Sequence, residues 1–143
     1  MAFFIVNGVN MLSRNQYQEK LMFIIYQMLF FTKMQQEFDI QELMCDTLEC
    51  EYEDIPVFVK EVSVKCAVNF EEIYKLINAN CTTWKIDRIN IVVISILMLG
   101  ITEYKYVGEV DKAIVIDVCV KLTKKYAGEK DYRFVNAVLD KIL

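Results

Sequence analysis

Cys45, Cys50, Cys66, Cys81 and Cys119 are the residues of this 143-residue chain best equipped to hold a metal or attack an electrophile. Their spacing argues against both. No two form a CxxC pair, their number is odd, and the chain has no histidine to complete a zinc set. They read as small buried hydrophobes in a reducing compartment. The same lack of histidine removes Ser-His-Asp and Cys-His nucleophilic arrangements. Neither GxGxxG nor GxxxxGKS occurs, so no phosphate-cradling loop is visible. The carboxylates crowd into "ECEYED", Glu49 to Asp54, a polar run that reads as solvated surface beside a loop. An enzyme has little to stand on here, and no cofactor or metal is expected.

The charge is unevenly spread along the chain. The net charge is −4, but residues 34–80 hold eleven acids and three bases, while residues 81–143 hold ten bases and eight acids. That balance opposes strong non-specific attraction to nucleic acid and leaves room for a local basic face. Lys121, Lys124, Lys125, Lys130 and Arg133 are candidates for such a face, against the alternative of ordinary solvated charges. Two apolar runs, Leu21 to Phe31 and Ile89 to Ile101, fall short of the roughly 18 residues that span a bilayer and carry polar interruptions. They read as core helices. The N-terminal "MAFFIVNGVN" lacks the basic start and the length of a secretory signal, so the expected location is the cytoplasm, with no membrane partner.

The elements that must position these residues are helical. One proline and four glycines are too few for the turns of an all-β domain, and 55% hydrophobic residues provide for a core. Ser13 and Gln16 form a capping box ahead of a long first helix with Tyr17, Leu21, Ile24, Met28 and Phe31 at helical spacing. A shorter helix and a loop are expected over 36–53. Asp54 and Pro56 mark the start of a segment with Val59, Val62 and Cys66 inward, whose β-branched residues also permit a strand. Asn69 and Glu72 form a second capping box before Ile73, Leu76 and Ile77. "DRINIVVISILMLGITEYKY" is apolar nearly all round and reads as the central helix. The next helix carries Val115, Cys119 and Leu122 and is expected to end on a left-handed Gly128. The last buries Phe134, Val135, Val138, Leu139 and Ile142, with Asn136 read as a helix polar residue bonding neighbouring backbone. The result is one domain over 1–143, an all-α bundle of six or seven helices, with residues 1–12 as a loosely packed extension.

Several short motifs resemble the NusB family of transcription antitermination factors. "RFVNAVLDKI", Arg133 to Ile142, is similar to the family's closing "KFVNGVLDKI". "IDVCVKLTKKYAG" resembles its "INEAVELAKKYG" helix. Trp84 and Arg88 in "WKIDRI", and Glu103 and Tyr104 in "ITEY", fall in the family's order, with Trp84 read as a packing residue between sub-bundles. At the other end "SRNQYQEKLMFIIYQ" is similar to the family's "SRRxARExALQALYQ" at Ser13, Arg14, Glu19, Tyr26 and Gln27. Asn15 and Gln18 stand where the family has arginines. Met98, Asp111, Asp117 and Ala137 are further departures.

The resemblance implies about seven helices in two roughly perpendicular sub-bundles. It implies a non-enzymatic cytoplasmic factor that pairs with NusE, a small-subunit ribosomal protein. Together the two hold boxA RNA within the transcription elongation complex. The implied RNA-contacting residues are Arg14, Asn15, Gln18 and Lys20, with Lys130 and Arg133 as a second footprint if the fold joins the two chain ends. Tyr26 is the implied NusE contact, against burial in the first helix. Two other readings stay open: a NusB-like module that retains only protein contacts, and a detached RNA-binding domain of a ribosomal RNA methyltransferase.

Overall fold

Ser13 opens the first helix of the computed structural model, which describes residues 4–6, 9–82 and 85–143. Its hydroxyl accepts from the Gln16 N–H, and the Gln16 side chain accepts from the Ser13 N–H, so both halves of the capping box form. Helix α1 runs Arg14–Lys33. Ahead of it, β1 (Phe4–Val6) and β2 (Val9–Met11) pair antiparallel, with Phe4 opposite Met11. Six further helices follow: α2 (Ile40–Leu48), α3 (Val57–Val68), α4 (Phe70–Ala79), α5 (Ile91–Ile101), α6 (Lys112–Tyr126) and α7 (Glu129–Ile142). The architecture is the all-α bundle of seven helices expected from the sequence. Trp84 lies outside the described residues. No described helix is long and apolar enough to cross a membrane.

Helix α5 organises the packing, because every residue from Val93 to Ile101 is buried. It touches α1, α6 and α7, while α1 also packs on α2 and α3, and α6 on α7. The two groups of helices share α5 as their common member. Leu21, Ile24, Ile25 and Met28 of α1 reach zero exposure against it and its neighbours. Full burial of side chains this size stabilises by about 1.5–3 kcal/mol each. Gly100 permits the closest approach: a Cβ there would lie 2.8 Å from the Cys119 sulfur on α6 and 3.4 Å from Leu139 on α7.

The segment after Pro56 is the expected helix and not the alternative strand, because Val59, Val62, Ser63 and Cys66 share one buried face at helical spacing. Three details differ from the sequence reading, each for a local reason. Asn69 does not cap α4. It is the single residue between two helices, and its amide reaches back to the Lys65 carbonyl at 2.9 Å. Gly128 is extended and precedes α7; the preceding helix ends at Tyr126 and is capped by Ala127, whose N–H bonds the Thr123 carbonyl. The long central helix gives way after Ile101 to a π-helical segment, Thr102–Val107, closed by the Gly108 N–H on the Glu103 carbonyl at 2.8 Å. Gly108 itself has φ +79°, which glycine adopts without strain. Of the cysteines, only Cys66 and Cys119 are fully buried. Burial pushes the Cys66 thiol up to about 12, which keeps it protonated and unreactive.

Candidate nucleic-acid and partner interface

The start of α1 places Arg14 and Gln18 one turn apart, facing the π-helical segment. Arg14 is half exposed, with its guanidinium 3.9 Å over the Phe58 ring of α3 and 3.7 Å from the Glu103 carboxylate. Gln18 is only 2% exposed and donates its amide N–H groups to both Glu103 oxygens at 3.0 Å. It therefore presents no amide to solvent, unlike the surface contact implied by its place in the motif. Burial pushes the Glu103 carboxyl above the usual carboxylate range, partly offset by the Gln18 amide and the Arg14 guanidinium. Asn15 is exposed. Lys20 lies roughly a third of a turn round the helix from Arg14, above the Phe23 ring. Arg14 and Lys20 thus do not form one patch by themselves. Arg14 also borders an open pocket of about 520 Å³ that carries Glu61, Glu109 and Asp111, so the potential around it is mixed.

The end of α6 meets the outer side of this helix. Lys125, near the end of α6, bonds Glu19 of α1 at 2.8 Å. Next to it Tyr126 packs edge-on against Phe23, ring centres 5.4 Å apart. Burial raises the Glu19 carboxyl, but Lys125 and Tyr126 outweigh that and bring it below the ordinary value. Lys124 sits 4.5 Å over the Tyr132 ring, and the Arg133 guanidinium lies 5.9 Å from the centre of the same ring. Asn15, Lys20, Lys124, Lys125 and Arg133 therefore stand on surfaces joined through α1, α6 and α7. Lys130 is exposed and lines an open pocket of about 620 Å³ with Arg88, Asn90, Asp131 and Phe134. Phe134 is not the core residue its spacing suggested. It is partly buried and forms a wall of this pocket, because the inward stripe of α7 is Val135, Val138, Leu139 and Ile142. Asn136 is likewise exposed, at the groove between α6 and α7.

Tyr26 is on the surface at 36% exposure. With Phe30 and Met34 it forms an apolar stripe at successive turns of α1. Beside the stripe, Leu29, Thr32 and Lys33 face Ala67, Val68 and Phe70 across a groove of about 600 Å³. Exposed apolar side chains grouped this way are a candidate interaction surface. Sequence reasoning missed the pairing of Gln18 with Glu103 and the pocket made by Arg88 and Phe134. The signal for the first was present: "ITEY" puts one acid at the end of a helix that is otherwise apolar all round. The pocket had no such signal, since its walls come from segments about forty residues apart.

The NusB family model matches residues 15–143. The transcription antitermination protein NusB of Finegoldia magna is 32% identical over 134 residues, covering 92% of this chain and 94% of that protein. The NusB of Clostridium botulinum is 34% identical over 111 residues, 73% of this chain and 78% of that protein. Among solved structures, antitermination factors NusB and NusE in complex with dsRNA supply a chain matching at TM-score 0.74 and 25% identity, over 90% of this chain and 94% of that one. T. maritima NusB matches at TM-score 0.76 and 21% identity, over 92% of this chain and 90% of that one, and so shares the fold. On the family model and the F. magna likeness together, this chain belongs to the NusB family.

Proposed function

We propose that this chain is a transcription antitermination factor that binds boxA-type RNA together with NusE in the cytoplasm, as part of the elongation complex, and catalyses no reaction. What carries the reading is the junction of α1 with α6, where Lys125 meets Glu19 and Tyr126 meets Phe23. In a member of this family, that junction supports a basic surface running from Lys20 of α1 through Lys124 and Lys125 of α6 to Arg133 of α7. Arg14, Asn15 and Lys20 supply phosphate and sugar contacts from α1, with Gln18 supporting from the interior. Lys130 and Arg133 supply the second footprint, and the half-buried Phe134 offers a ring on which a base can stack. The exposed Tyr26–Phe30–Met34 stripe is the docking surface for NusE. Likeness along 94% of the F. magna NusB favours this reading over a detached methyltransferase domain.

A module restricted to protein contacts has one observation in its favour: the carboxylates of Glu61, Glu109 and Asp111 in the pocket beside Arg14. They weaken the attraction of that end for phosphate. The expected RNA affinity of the chain alone is accordingly low, with a shallow salt dependence of about two to four phosphate contacts. Replacing Arg14 and Lys20 with alanine together should weaken binding and flatten the slope further. Tight, salt-sensitive binding that survives the double change would remove α1 from the RNA site.

A further inference from the structure

Glu103 is fully buried, yet among the described residues the interior gives it no charged partner. Its donor from within is the neutral Gln18 amide, at 3.0 Å from both oxygens. Its ion-pair partner among the described residues is Arg14, which approaches to 3.7 Å from the solvent side and keeps half its own side chain exposed. The Gln18 carbonyl oxygen, also buried, has no hydrogen-bond partner among the described residues. A carboxylate accepts only, so the ionised Glu103 has nothing to offer that oxygen. A protonated Glu103 has an O–H to give. A half-turn of the Gln18 amide about its last bond would bring that oxygen to the O–H, while taking the amide N–H groups away from the carboxyl. The neutral pair thus keeps a hydrogen bond between the two side chains and leaves no charge in the interior.

We propose that Glu103 is a positioning residue for the RNA site: its carboxylate and an RNA phosphate compete for Arg14, and RNA binding is accompanied by proton uptake at Glu103, with Gln18 accommodating both states. The inference rests on the assignment of Arg14 as a phosphate contact. When a phosphate draws the guanidinium outward, Glu103 loses the cation that helps keep it ionised, and burial then favours the proton. Linkage is reciprocal, so a lower pH must tighten RNA binding. The other titratable groups packed around the carboxylate come from α3 and α6. From α6 comes the buried Cys119 thiol, which the Glu103 charge helps to push up. From α3 comes the Cys66 thiol, beside Thr102. Lys65 and Glu61, also on α3, pair with each other at 3.0 Å, and Lys65 additionally bonds the Tyr106 carbonyl. The chain has no histidine, so side chains of ordinary pKa take up no proton between about pH 6 and 7.

The test is calorimetric titration of a single-stranded boxA RNA into the protein–NusE complex near pH 6.5, in buffers of different ionisation heat, for the wild type and Glu103→Gln. The wild type should take up more protons than the variant, by up to about one per RNA, and bind up to about tenfold tighter per pH unit of acidification. Glu103→Gln should lose that share of the uptake and of the pH dependence. It should bind at pH 7.5 at least as tightly as the wild type. If its melt shows that it has not folded, Gln18→Arg serves instead: a fixed cation beside Glu103 should hold it ionised and abolish the uptake. Proton uptake absent from the wild type, or unchanged in a folded variant, overturns the inference. Arg14→Ala separates it from the underlying assignment. Weaker RNA binding by Arg14→Ala, with no wild-type uptake through Glu103, overturns the inference alone. Unchanged RNA binding by Arg14→Ala overturns the assignment and the inference together.

Discussion

Replacing Gly100 with alanine would place a methyl carbon 2.8 Å from the Cys119 sulfur and 3.4 Å from both Leu139 methyl carbons. An ordinary contact between such atoms is about 3.5–4.0 Å, so the sulfur must move by roughly 1 Å. It has little room, since Cys119 is fully buried and its thiol bonds the Ile96 carbonyl at 3.6 Å. Overpacking of this kind costs about 1–3 kcal/mol, and the overlap points to the upper half of that range. Alanine regains about 1 kcal/mol of helix propensity over glycine. The net expectation is a loss of about 1–2 kcal/mol. Urea melts measure it, as a lower midpoint at unchanged slope. Cys119→Ala alone removes one buried heavy atom and should cost about 1 kcal/mol. The double variant should cost less than the sum, because the new methyl group occupies the space the sulfur leaves. A coupling of about 1–2 kcal/mol is expected from that double-mutant cycle. A Gly100→Ala protein as stable as the wild type, or a strictly additive double variant, would refute the close approach of α5 to α6.

Glu103→Gln should gain stability over the wild type as pH rises. A carboxyl raised above its ordinary 4.5 in the folded chain contributes stability that is full below that value and lost as pH climbs through the folded value. Melts from pH 4.5 to 8 check this, and a constant difference between the two proteins would contradict it. Tyr26→Asp should leave the melt within about 0.5 kcal/mol, as surface changes do, and abolish NusE binding in a pull-down. An unfolded variant would place Tyr26 in the core. Phe134→Ala should cost less than the about 3–5 kcal/mol of a core phenylalanine while weakening RNA binding. Unchanged affinity with a large stability loss would return the ring to a packing role.

The helices were legible because burial and period coincide in them. Leu21, Ile24 and Met28, or Val135, Val138 and Leu139, repeat at a helical interval that only one inward face can satisfy. Boundaries were less legible where a single residue serves two elements. Asn69 had the right neighbours for a cap, but the distance to the Lys65 carbonyl decided its bond. Gly128 had the right position for a left-handed stop, but the chain turned at Ala127. The site was legible in residue type and not in orientation. Arg14 and Gln18 share a motif, yet one faces solvent and the other the interior, because the carboxylate that sorts them lies 85 residues on, at Glu103. Such a pairing is set by the tertiary fold, and no local pattern carries it. The meeting of Glu19 with Lys125 across 106 residues is of the same kind.

Binding of boxA RNA, measured by fluorescence anisotropy with and without NusE and against a scrambled RNA of equal length, tests the functional assignment most directly. Weak binding by the chain alone, becoming tighter and selective for boxA when NusE is added, is the expected result. Equal affinity for boxA and scrambled RNA in the presence of NusE, or no binding to either, would contradict it.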